Sequence, residues 1–334
     1  MHRFWTLQRR PGSRMPEVED FALESAPLVS GIADGEVLIR NRYLSLDPYM
    51  RWRMEDAKSY APPVNLGEVM VGATIGEVLE SGHPDFTAGD HVLAPGGWQS
   101  HARVAASRLR KIERGALPLS VFLGALGSPG FTAWAGLRHI GKPKVGETVV
   151  VGAATGPVGA MVGQLAQAAG CRVVAICGGS EKVQLATKTL GFDAAVDHRD
   201  PDLATQLGAA CPNGIDVYFE NIGGIVLEAV RPLLNDFARI PVCGLISQYN
   251  ALGEPVDLGP FMQDILVKRL TWRGFIVTDF QADFPEFLAQ VCPMVETGAI
   301  RFIEDLRQGL EHAPEAFIDV LKGQNRGKMV LSLG

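Results

Sequence analysis

The middle of the chain alternates between short apolar runs and segments in which apolar residues recur every three or four positions. The runs "ETVVVGAA", "CRVVAIC" and "GIDVYFEN" are rich in β-branched residues, and each is followed by a segment of helical spacing. In one such segment, "SEKVQLATKTLG", Ser180 is expected as the N-cap and Gly191 as the stop. Continuous apolar strands between amphipathic helices are typical of a parallel sheet covered on both faces. The pattern therefore predicts an α/β fold with a doubly wound Rossmann-type sheet.

The first part of the chain has a different pattern, in which short strands are separated by Gly, Pro and Asp turns. Examples are "GEVLIRNRYLSL", "GATIGEVLESG" and "GDHVLAPGGWQSHARV". This pattern predicts a partly open β-barrel, which the strand-like C-terminal segment "QNRGKMVLSLG" would complete. We therefore expect a substrate domain formed by residues 1–120 and 299–334, with a Rossmann domain, residues 121–298, inserted between them.

Composition and charge exclude several classes of protein. The 334 residues carry a formal net charge of −6 at pH 7, which offers no attraction for nucleic acid or an anionic membrane surface. No apolar run reaches the ~20 residues of a transmembrane helix, and the first residues lack the apolar core of a signal peptide. The five cysteines are scattered, without a C-x-x-C pair. We expect a soluble, cytoplasmic protein without a disulfide framework.

The strand "ETVVVGAA" leads into a glycine-rich turn, residues 152–159, that reads "GAATGPVG". Compared with the dinucleotide fingerprint G-x-G-x-x-G, the first glycine is replaced by Ala154. Gly156 would let the backbone approach a pyrophosphate, Pro157 suits the first turn of a helix, and Gly159 would let that helix pack closely on the sheet. We expect this turn to bind pyrophosphate at the helix N-terminus; the alternative is a compact corner without a ligand.

The end of the second strand indicates which nicotinamide cofactor would bind. An NAD site normally carries Asp or Glu there, to accept a hydrogen bond from the ribose 2′-hydroxyl. The sequence "AICGGSEK" has no carboxylate at the strand end, and Lys182 follows in the next helix. Glu181 is better placed to interact with the positive end of that helix. The combination favours NADP(H), whose extra 2′-phosphate would bind Lys182; alternatively, Lys182 is a solvated helix lysine.

A barrel followed by a dinucleotide domain is also the arrangement of zinc-dependent alcohol dehydrogenases, which carry a G-H-E-x-x-G segment. The comparable stretch "VGATIGEV" has Gly72 at the histidine position and Ala73 at the glutamate position. No cysteine precedes Cys171, so the barrel contains no thiolate ligand. His83, His91 and His101 show no ligand spacing. We therefore expect no metal site.

Several segments, in order along the chain, resemble one family. They are "RNRYLSLDPYMRWRM", "GWQSHARV", "GSPGFTAWAGL", "VVVGAATGPVG", "GCRVVAICGGSEK", "GFDAAVDH", "FENIGG", "CGLISQYN", "GFIV" and "NRGKMVLSLG". The chain resembles the zinc-independent medium-chain dehydrogenases/reductases that include prostaglandin reductases, alkenal double-bond reductases and curcumin reductases. The resemblance implies a GroES-like barrel, a homodimer, and NADPH-dependent reduction of the carbon–carbon double bond of α,β-unsaturated aldehydes and ketones.

The resemblance also implies roles for individual residues. The turn formed by Gly156, Pro157, Val158 and Gly159 would hold the pyrophosphate, and Lys182 the 2′-phosphate. His198 stands where the family often has a tyrosine beside that phosphate. The positions that would line the ribose and nicotinamide are Asn221, Cys243, Gly244, Ile246, Ser247, Tyr249, Phe275, Ile276, Val277 and Asn325.

Hydride attack on the β-carbon of an enone would place negative charge on the carbonyl oxygen, which needs hydrogen-bond donors. Without zinc, hydroxyl groups are the natural donors, and a tyrosine with its ordinary pKa of about 10 is protonated at neutral pH. We predict Tyr249, after the fifth strand of the Rossmann domain, and Tyr49, in "LDPYMRWRM", as the catalytic residues that orient the substrate or donate to its oxygen. The alternative for both is a packing role, and Tyr218, within a strand, is expected in the core.

Two further functions fit the same sequence features. A quinone reductase of the same superfamily would share the cofactor turn. A non-catalytic NADPH-binding or sensor protein would bind the cofactor tightly and turn over no acceptor.

Overall fold

The computed structural model describes residues 1–28, 31–113, 115–250 and 258–334. The chain divides into two compact units. The first unit is formed by Met1–Leu123 and Glu304–Gly334, and the second by Gly124–Ile303.

The strands and helices are numbered in chain order. The strands are β1 (His2–Leu7), β2 (Phe21–Ala26), β3 (Glu36–Ser45), β4 (Thr74–Ser81), β5 (His91–Ala94), β6 (His101–Ala105), β7 (Arg110–Lys111), β8 (Thr148–Gly152), β9 (Arg172–Cys177), β10 (Ala194–Asp197), β11 (Ile215–Phe219), β12 (Leu234–Val242), β13 (Thr271–Gly274), β14 (Glu304–Gln308) and β15 (Lys328–Ser332). The helices are α1 (Met50–Arg53), α2 (Ser128–Gly136), α3 (Pro157–Ala168), α4 (Ser180–Gln184), α5 (Leu203–Ala210), α6 (Gly224–Val230), α7 (Gly259–Lys268), α8 (Phe284–Glu296) and α9 (Ala313–Leu321).

The second unit contains a sheet in which every neighbouring pair of strands is parallel, in the order β10-β9-β8-β11-β12-β13. All residues of β8 are buried, as expected for a central strand covered on both faces. Gly163 gives α3 room to pack, because a Cβ there would lie only 2.3 Å from the Cζ atom of Phe192. The strand order is that of two mononucleotide-binding halves that meet at β8 and β11. The predicted doubly wound fold is confirmed.

The first unit is built around the long strand β3. One edge of β3 pairs with β4, and the other pairs with β6 along its first half and with β15 near its end. Successive partners on one edge fit a bent, partly open barrel, and the C-terminal strand β15 belongs to it as predicted. Within this unit the buried Trp98 stacks on Phe21, with ring centroids 5.3 Å apart, and meets Phe317 edge-on at 5.5 Å.

One predicted helix end is wrong by a residue. Gly179, not Ser180, is the N-cap of α4, because the chain reaches the helix through a left-handed conformation, φ +92°, that favours glycine. The N–H of Gly179 donates to Asp197 Oδ1 at 2.9 Å, which ties the start of α4 to the end of β10. Gly191, at φ +76°, lies two residues beyond the helical segment, which continues to Thr189, as expected of its stop.

None of the described helices is both long enough and apolar enough to cross a membrane. The cytoplasmic location stays a prediction.

Candidate active site

The glycine-rich turn joins β8 to α3 with close contacts between backbone atoms. Gly156 is the N-cap of α3, and Pro157 is its first residue. A Cβ on Gly159 would lie 2.4 Å from the carbonyl oxygen of Ala153 and 2.8 Å from Ala154 Cα, so only glycine fits there. The first N–H groups of a helix have no intrahelical acceptor and lie at its positive end. Those of Val158 and Gly159 are therefore suited to hydrogen-bond a pyrophosphate.

Basic side chains surround the turn that follows β9. A Cβ on Gly178 would lie 2.8 Å from His198 Nε2 and 3.1 Å from Arg199 Nε, so the imidazole and the guanidinium group both lie against this backbone. Burial lowers the pKa of His198, and the positive charges of Arg199 and Lys182 lower it further. The ring is therefore neutral at neutral pH and would act as a hydrogen-bonding group, while Arg199 and Lys182 supply positive charge.

Asp197, at the end of β10, organises this basic cluster. Its Oδ1 atom accepts hydrogen bonds from the N–H groups of Gly179 and Arg199, each at 2.9 Å. Burial raises the pKa of Asp197, but these two hydrogen bonds, together with the nearby positive charge, bring the pKa below its usual value. The carboxylate thus remains ionised and holds the two loops together at the position suited to a 2′-phosphate.

Sequence reasoning selected Lys182 and His198 but missed Arg199. Arg199 is exposed and lies outside a regular element, so periodicity carried no signal for it. The available signal was its place next to His198 in "VDHRD", directly after a strand of the parallel sheet.

The turn after β11 is held by a buried carboxyl group that sequence reasoning also missed. Glu220 is fully buried, and its Oε1 atom accepts hydrogen bonds from Tyr218 Oη (3.0 Å), Ile222 N (2.6 Å) and Gly223 N (2.9 Å). Burial raises the pKa of Glu220. Tyr218 is a core residue, as predicted. The predicted ribose and nicotinamide residue Asn221 follows directly, and its Nδ2 donates to the carbonyl oxygen of Gly152 at 2.9 Å, which joins this turn to the glycine-rich turn.

The loop after β12 brings further predicted residues to the same edge of the sheet. The N–H groups of Cys243 and Gly244 donate to the carbonyl oxygen of Glu220 at 2.9 and 3.2 Å. Ile246 N donates to the carbonyl oxygen of Asn221 at 3.2 Å. Burial, together with the charge of Glu220, raises the pKa of Cys243 to about 12, so this sulfur is a thiol at neutral pH and not a nucleophile.

Ser247 and Tyr249 complete this loop. Ser247 Oγ donates to the carbonyl oxygen of Ile222 at 2.5 Å. Tyr249 is half-buried, and a Cβ on Gly244 would lie 3.1 Å from its hydroxyl oxygen. The phenol therefore folds back over the start of the loop, at the carboxyl end of the parallel sheet, where folds of this kind bind their ligands.

The three predicted residues after β13 differ in burial. Phe275 is buried and meets Phe219 edge-on, with ring centroids 6.2 Å apart. A Cβ on Gly136 would collide with both rings, at 2.6 Å from Phe219 Cε2 and 2.9 Å from Phe275 Cζ. Ile276 and Val277 are half-buried. Phe275 therefore packs in the core and positions its two neighbours.

Two predicted residues lie in the first unit. Tyr49 directly precedes α1 and packs against a core cluster that includes Met50 and Trp98. Burial raises the pKa of Tyr49, and the negative charge of Asp47 raises it further, so its hydroxyl is protonated at neutral pH. Asn325 precedes β15, and its Nδ2 donates to the carbonyl oxygen of Gly327 at 2.6 Å.

The residues around Gly72 do not fit a zinc ion. A Cβ on Gly72 would lie 2.7 Å from Leu44 Cδ1, 3.2 Å from Trp98 Cδ1 and 3.3 Å from Met50 Cε. Apolar side chains thus occupy the space that a histidine ligand at this position would need. Nor do the described residues contain a group of three or more His, Cys, Asp or Glu side chains able to hold a metal.

Comparison with known proteins gives matches over nearly the whole chain. Residues 3–112 match a family model described as the N-terminal domain of oxidoreductase. Residues 157–292 match one described as zinc-binding dehydrogenase. The description of the second model includes a metal, for which the described part of the chain provides no site.

Individual relatives match the sequence of both units. The NADPH-dependent curcumin reductase of Escherichia coli is 49% identical over 335 residues, which cover 99% of this chain and 96% of that protein. The NADP(+)-dependent 2-alkenal reductase of Nicotiana tabacum is 39% identical, over 95% of this chain and 93% of that protein. The crystal structure of CurA from Vibrio vulnificus in complex with NADPH superposes with a TM-score of 0.94, at 50% identity over 99% of both chains.

The basic cluster predicts a selective effect on cofactor binding. If Arg199 binds the 2′-phosphate, its replacement by Ala removes a charge-assisted hydrogen bond worth about 1.5–3 kcal/mol, so the Kd for NADPH should rise about tenfold or more. The Kd for NADH, which has no 2′-phosphate, should stay the same. Fluorescence titration of both cofactors measures the difference. Arg138→Ala, which removes a guanidinium paired with Glu286 elsewhere in the unit, is the control. Equal losses for NADPH and NADH would contradict the assignment.

Proposed function

This chain belongs to the zinc-independent medium-chain dehydrogenases/reductases of the prostaglandin reductase, alkenal double-bond reductase and curcumin reductase family, and we propose that it reduces the carbon–carbon double bond of α,β-unsaturated aldehydes and ketones with NADPH. Membership confirms the expectation of an NADP-dependent oxidoreductase. The substrate class is our proposal, and the activities that give the curcumin reductase and the 2-alkenal reductase their names support it.

The observation that carries the proposal is the basic cluster at the carboxyl ends of β9 and β10. Lys182, His198 and Arg199 surround a turn without a carboxylate at the end of β9. A site for NAD would place an acidic group there. We therefore assign the second unit to NADPH binding, with the pyrophosphate at the N-terminus of α3. The first unit, which contains Tyr49, is assigned to the substrate, and Asn325 keeps its predicted role beside the ribose and nicotinamide.

Bound NADPH supplies a hydride, and the protein must then stabilise the negative charge that develops on the carbonyl oxygen of the substrate. One preorganised donor is worth about 3–4 kcal/mol in comparable oxyanion sites. We assign this role to the hydroxyl groups of Tyr249 and Tyr49. The raised pKa of Tyr49 suits a donor, since the phenol keeps its proton at neutral pH. Asn221, Ile246 and Ser247 would shape the ribose and nicotinamide site through the hydrogen bonds that join their turns.

An assay with the purified protein tests the proposal as a whole. Oxidation of NADPH is followed with a simple enone, such as a 2-alkenal or phenyl butenone, beside NADH and in the presence of a metal chelator. We expect chelator-resistant turnover that prefers NADPH and yields the saturated carbonyl compound. Turnover of quinones alone would identify a quinone reductase. Tight NADPH binding without turnover of any acceptor would identify a binding or sensor protein.

Replacement of Tyr249 by Phe tests the donor role. Loss of one oxyanion donor should lower kcat about a hundredfold, while the Kd for NADPH changes little because the aromatic ring remains. The control is Tyr43→Phe, which removes a hydroxyl from β3 and should leave kcat unchanged. If Tyr249→Phe leaves kcat unchanged, the hydroxyl is not a donor and the side chain has a packing role.

The homodimer is a second proposal, supported by one edge of the parallel sheet. β13 is the last strand of the sheet, and α7 packs beside it through Phe261 and Trp272, whose ring centroids are 4.5 Å apart. α7 presents Met262, Leu266 and Val267 to solvent, at 57%, 76% and 58% exposure. Exposed apolar groups beside an unpaired strand edge are typical of an interface between copies.

Leu266→Glu should therefore convert a dimer to a monomer, which sedimentation analysis would show as a halved mass. Val145→Glu, which changes an exposed apolar residue away from this edge, should leave the mass unchanged. A wild-type protein that sediments as a monomer would contradict the proposal.

A further inference from the structure

Lys328 is an ion buried inside the first unit. Its side chain is only 2% exposed, although lysine is almost never fully buried unless it is paired. Its Nζ atom donates to the carbonyl oxygen of Leu46 at 2.9 Å and to Asp47 Oδ1 at 2.7 Å. The other carboxylate oxygen of Asp47 accepts a hydrogen bond from the hydroxyl of Ser45. One ammonium group therefore holds a main-chain carbonyl and a carboxylate of adjacent residues.

These contacts join two segments that carry candidate site residues. Asp47 lies two residues before Tyr49, and its carbonyl oxygen accepts the N–H of Met50 at 3.2 Å, which begins the turn of α1. Lys328 begins β15, directly after the turn that contains Asn325. The turn depends on Gly327, whose φ of +81° is in the left-handed region. The ammonium group thus fixes the Tyr49 segment relative to the Asn325 turn.

Stability alone does not account for a buried ion pair at this position. Removing two charges from water costs several kcal/mol per ion, and well-packed apolar residues of similar volume often serve stability equally well. The pair does have a geometric effect. Its two hydrogen bonds set the angle and the distance between the Tyr49 segment and the start of β15.

A second carboxyl group, that of Glu304, lies near Lys328 but accepts its hydrogen bond from another residue. Glu304 is the cross-strand neighbour of Lys328, and its Oε2 accepts a hydrogen bond from Ser120 Oγ at 2.9 Å. Burial raises the pKa of Glu304, although the charge of Lys328 opposes the rise. Among the described residues no group hydrogen-bonds to its Oε1 atom. The ammonium group is therefore directed at the Tyr49 segment and not at its neighbour in the sheet.

We propose that Lys328 and Asp47 are positioning residues, which together set the orientation of Tyr49 and of the Asn325 turn for the reaction. This inference rests on the proposed function for the role of Tyr49. Neither Lys328 nor Asp47 needs to touch the substrate, since both act through the segments that they hold.

A double-mutant cycle on kcat tests whether Asp47 acts through Tyr49. Asp47→Asn retains the size of the side chain but removes its charge, and kcat should fall about tenfold or more. Adding Tyr49→Phe to this variant should lower kcat little further, because the hydroxyl is already misplaced. Additive losses, or an unchanged kcat for Asp47→Asn, would overturn the proposal.

The control is Asp319→Asn, which removes the charge from another ion pair of the first unit, with Arg307, at 2.6 Å. It should lower the Tm by less than Asp47→Asn does, because this pair is more exposed, and it should leave kcat unchanged. A loss of kcat with Asp319→Asn of the same size would show that the effect is one of general stability.

A second measurement does not depend on activity. Lys328→Met combined with Asp47→Asn removes both charges, so no unpaired ion stays buried and the chain should fold. The amide protons of Met50 and Arg51, bonded to the carbonyl oxygens of Asp47 and Pro48, should then exchange with solvent about tenfold faster or more than in Asp319→Asn. Unchanged exchange would refute the positioning role. If the wild type turns over no enone, the proposed function fails, and the exchange experiment still decides whether the pair orders this segment.

Discussion

Glu220 accepts three hydrogen bonds at one carboxyl oxygen in a place that water does not reach. A buried polar group without partners costs 1–3 kcal/mol or more, so each of these donors contributes to holding it. Two of the donors are backbone N–H groups of the next turn, and the carbonyl oxygen of Glu220 binds the N–H groups of Cys243 and Gly244. The geometry of the carboxyl end of β11 and of the loop after β12 therefore depends on this one residue.

The same network extends along this edge of the sheet to the other candidate binding groups. Asn221 extends the network from Glu220 to the end of β8 through its hydrogen bond to Gly152, and the glycine-rich turn begins there. At the neighbouring strand ends, the ionised Asp197 holds the loops that bring Arg199 and His198 against Gly178. Carboxyl groups in this unit thus organise backbone N–H groups and basic side chains, and those groups are the ones suited to bind an anionic cofactor.

In the first unit a buried ammonium group, not a carboxyl group, holds neighbouring segments together. Leu44, Met50 and Trp98 surround Gly72 and leave no room for a ligand side chain, so this part of the barrel is a packed apolar core. The unit also buries two ion pairs, Lys328 with Asp47 and Arg51 with Glu55. Apolar packing has no preferred direction, whereas hydrogen bonds from a buried ammonium group define one. The segment that carries Tyr49 needs a fixed orientation of this kind if its hydroxyl is to donate a hydrogen bond to a substrate atom.

The sequence by itself determined the parallel sheet, the glycine-rich turn and the lack of thiolate ligands in the barrel. These features depend on local patterns: apolar runs such as that of β8, a glycine required at position 159 by close backbone contact, and the absence of cysteine before Cys171. Tertiary structure alone revealed Arg199 against Gly178, the buried hub at Glu220, and Lys328 paired with Asp47, 281 positions away. A contact between distant positions leaves no periodicity in either segment, because each side chain is placed by the strand pairing around it and not by its neighbours in sequence.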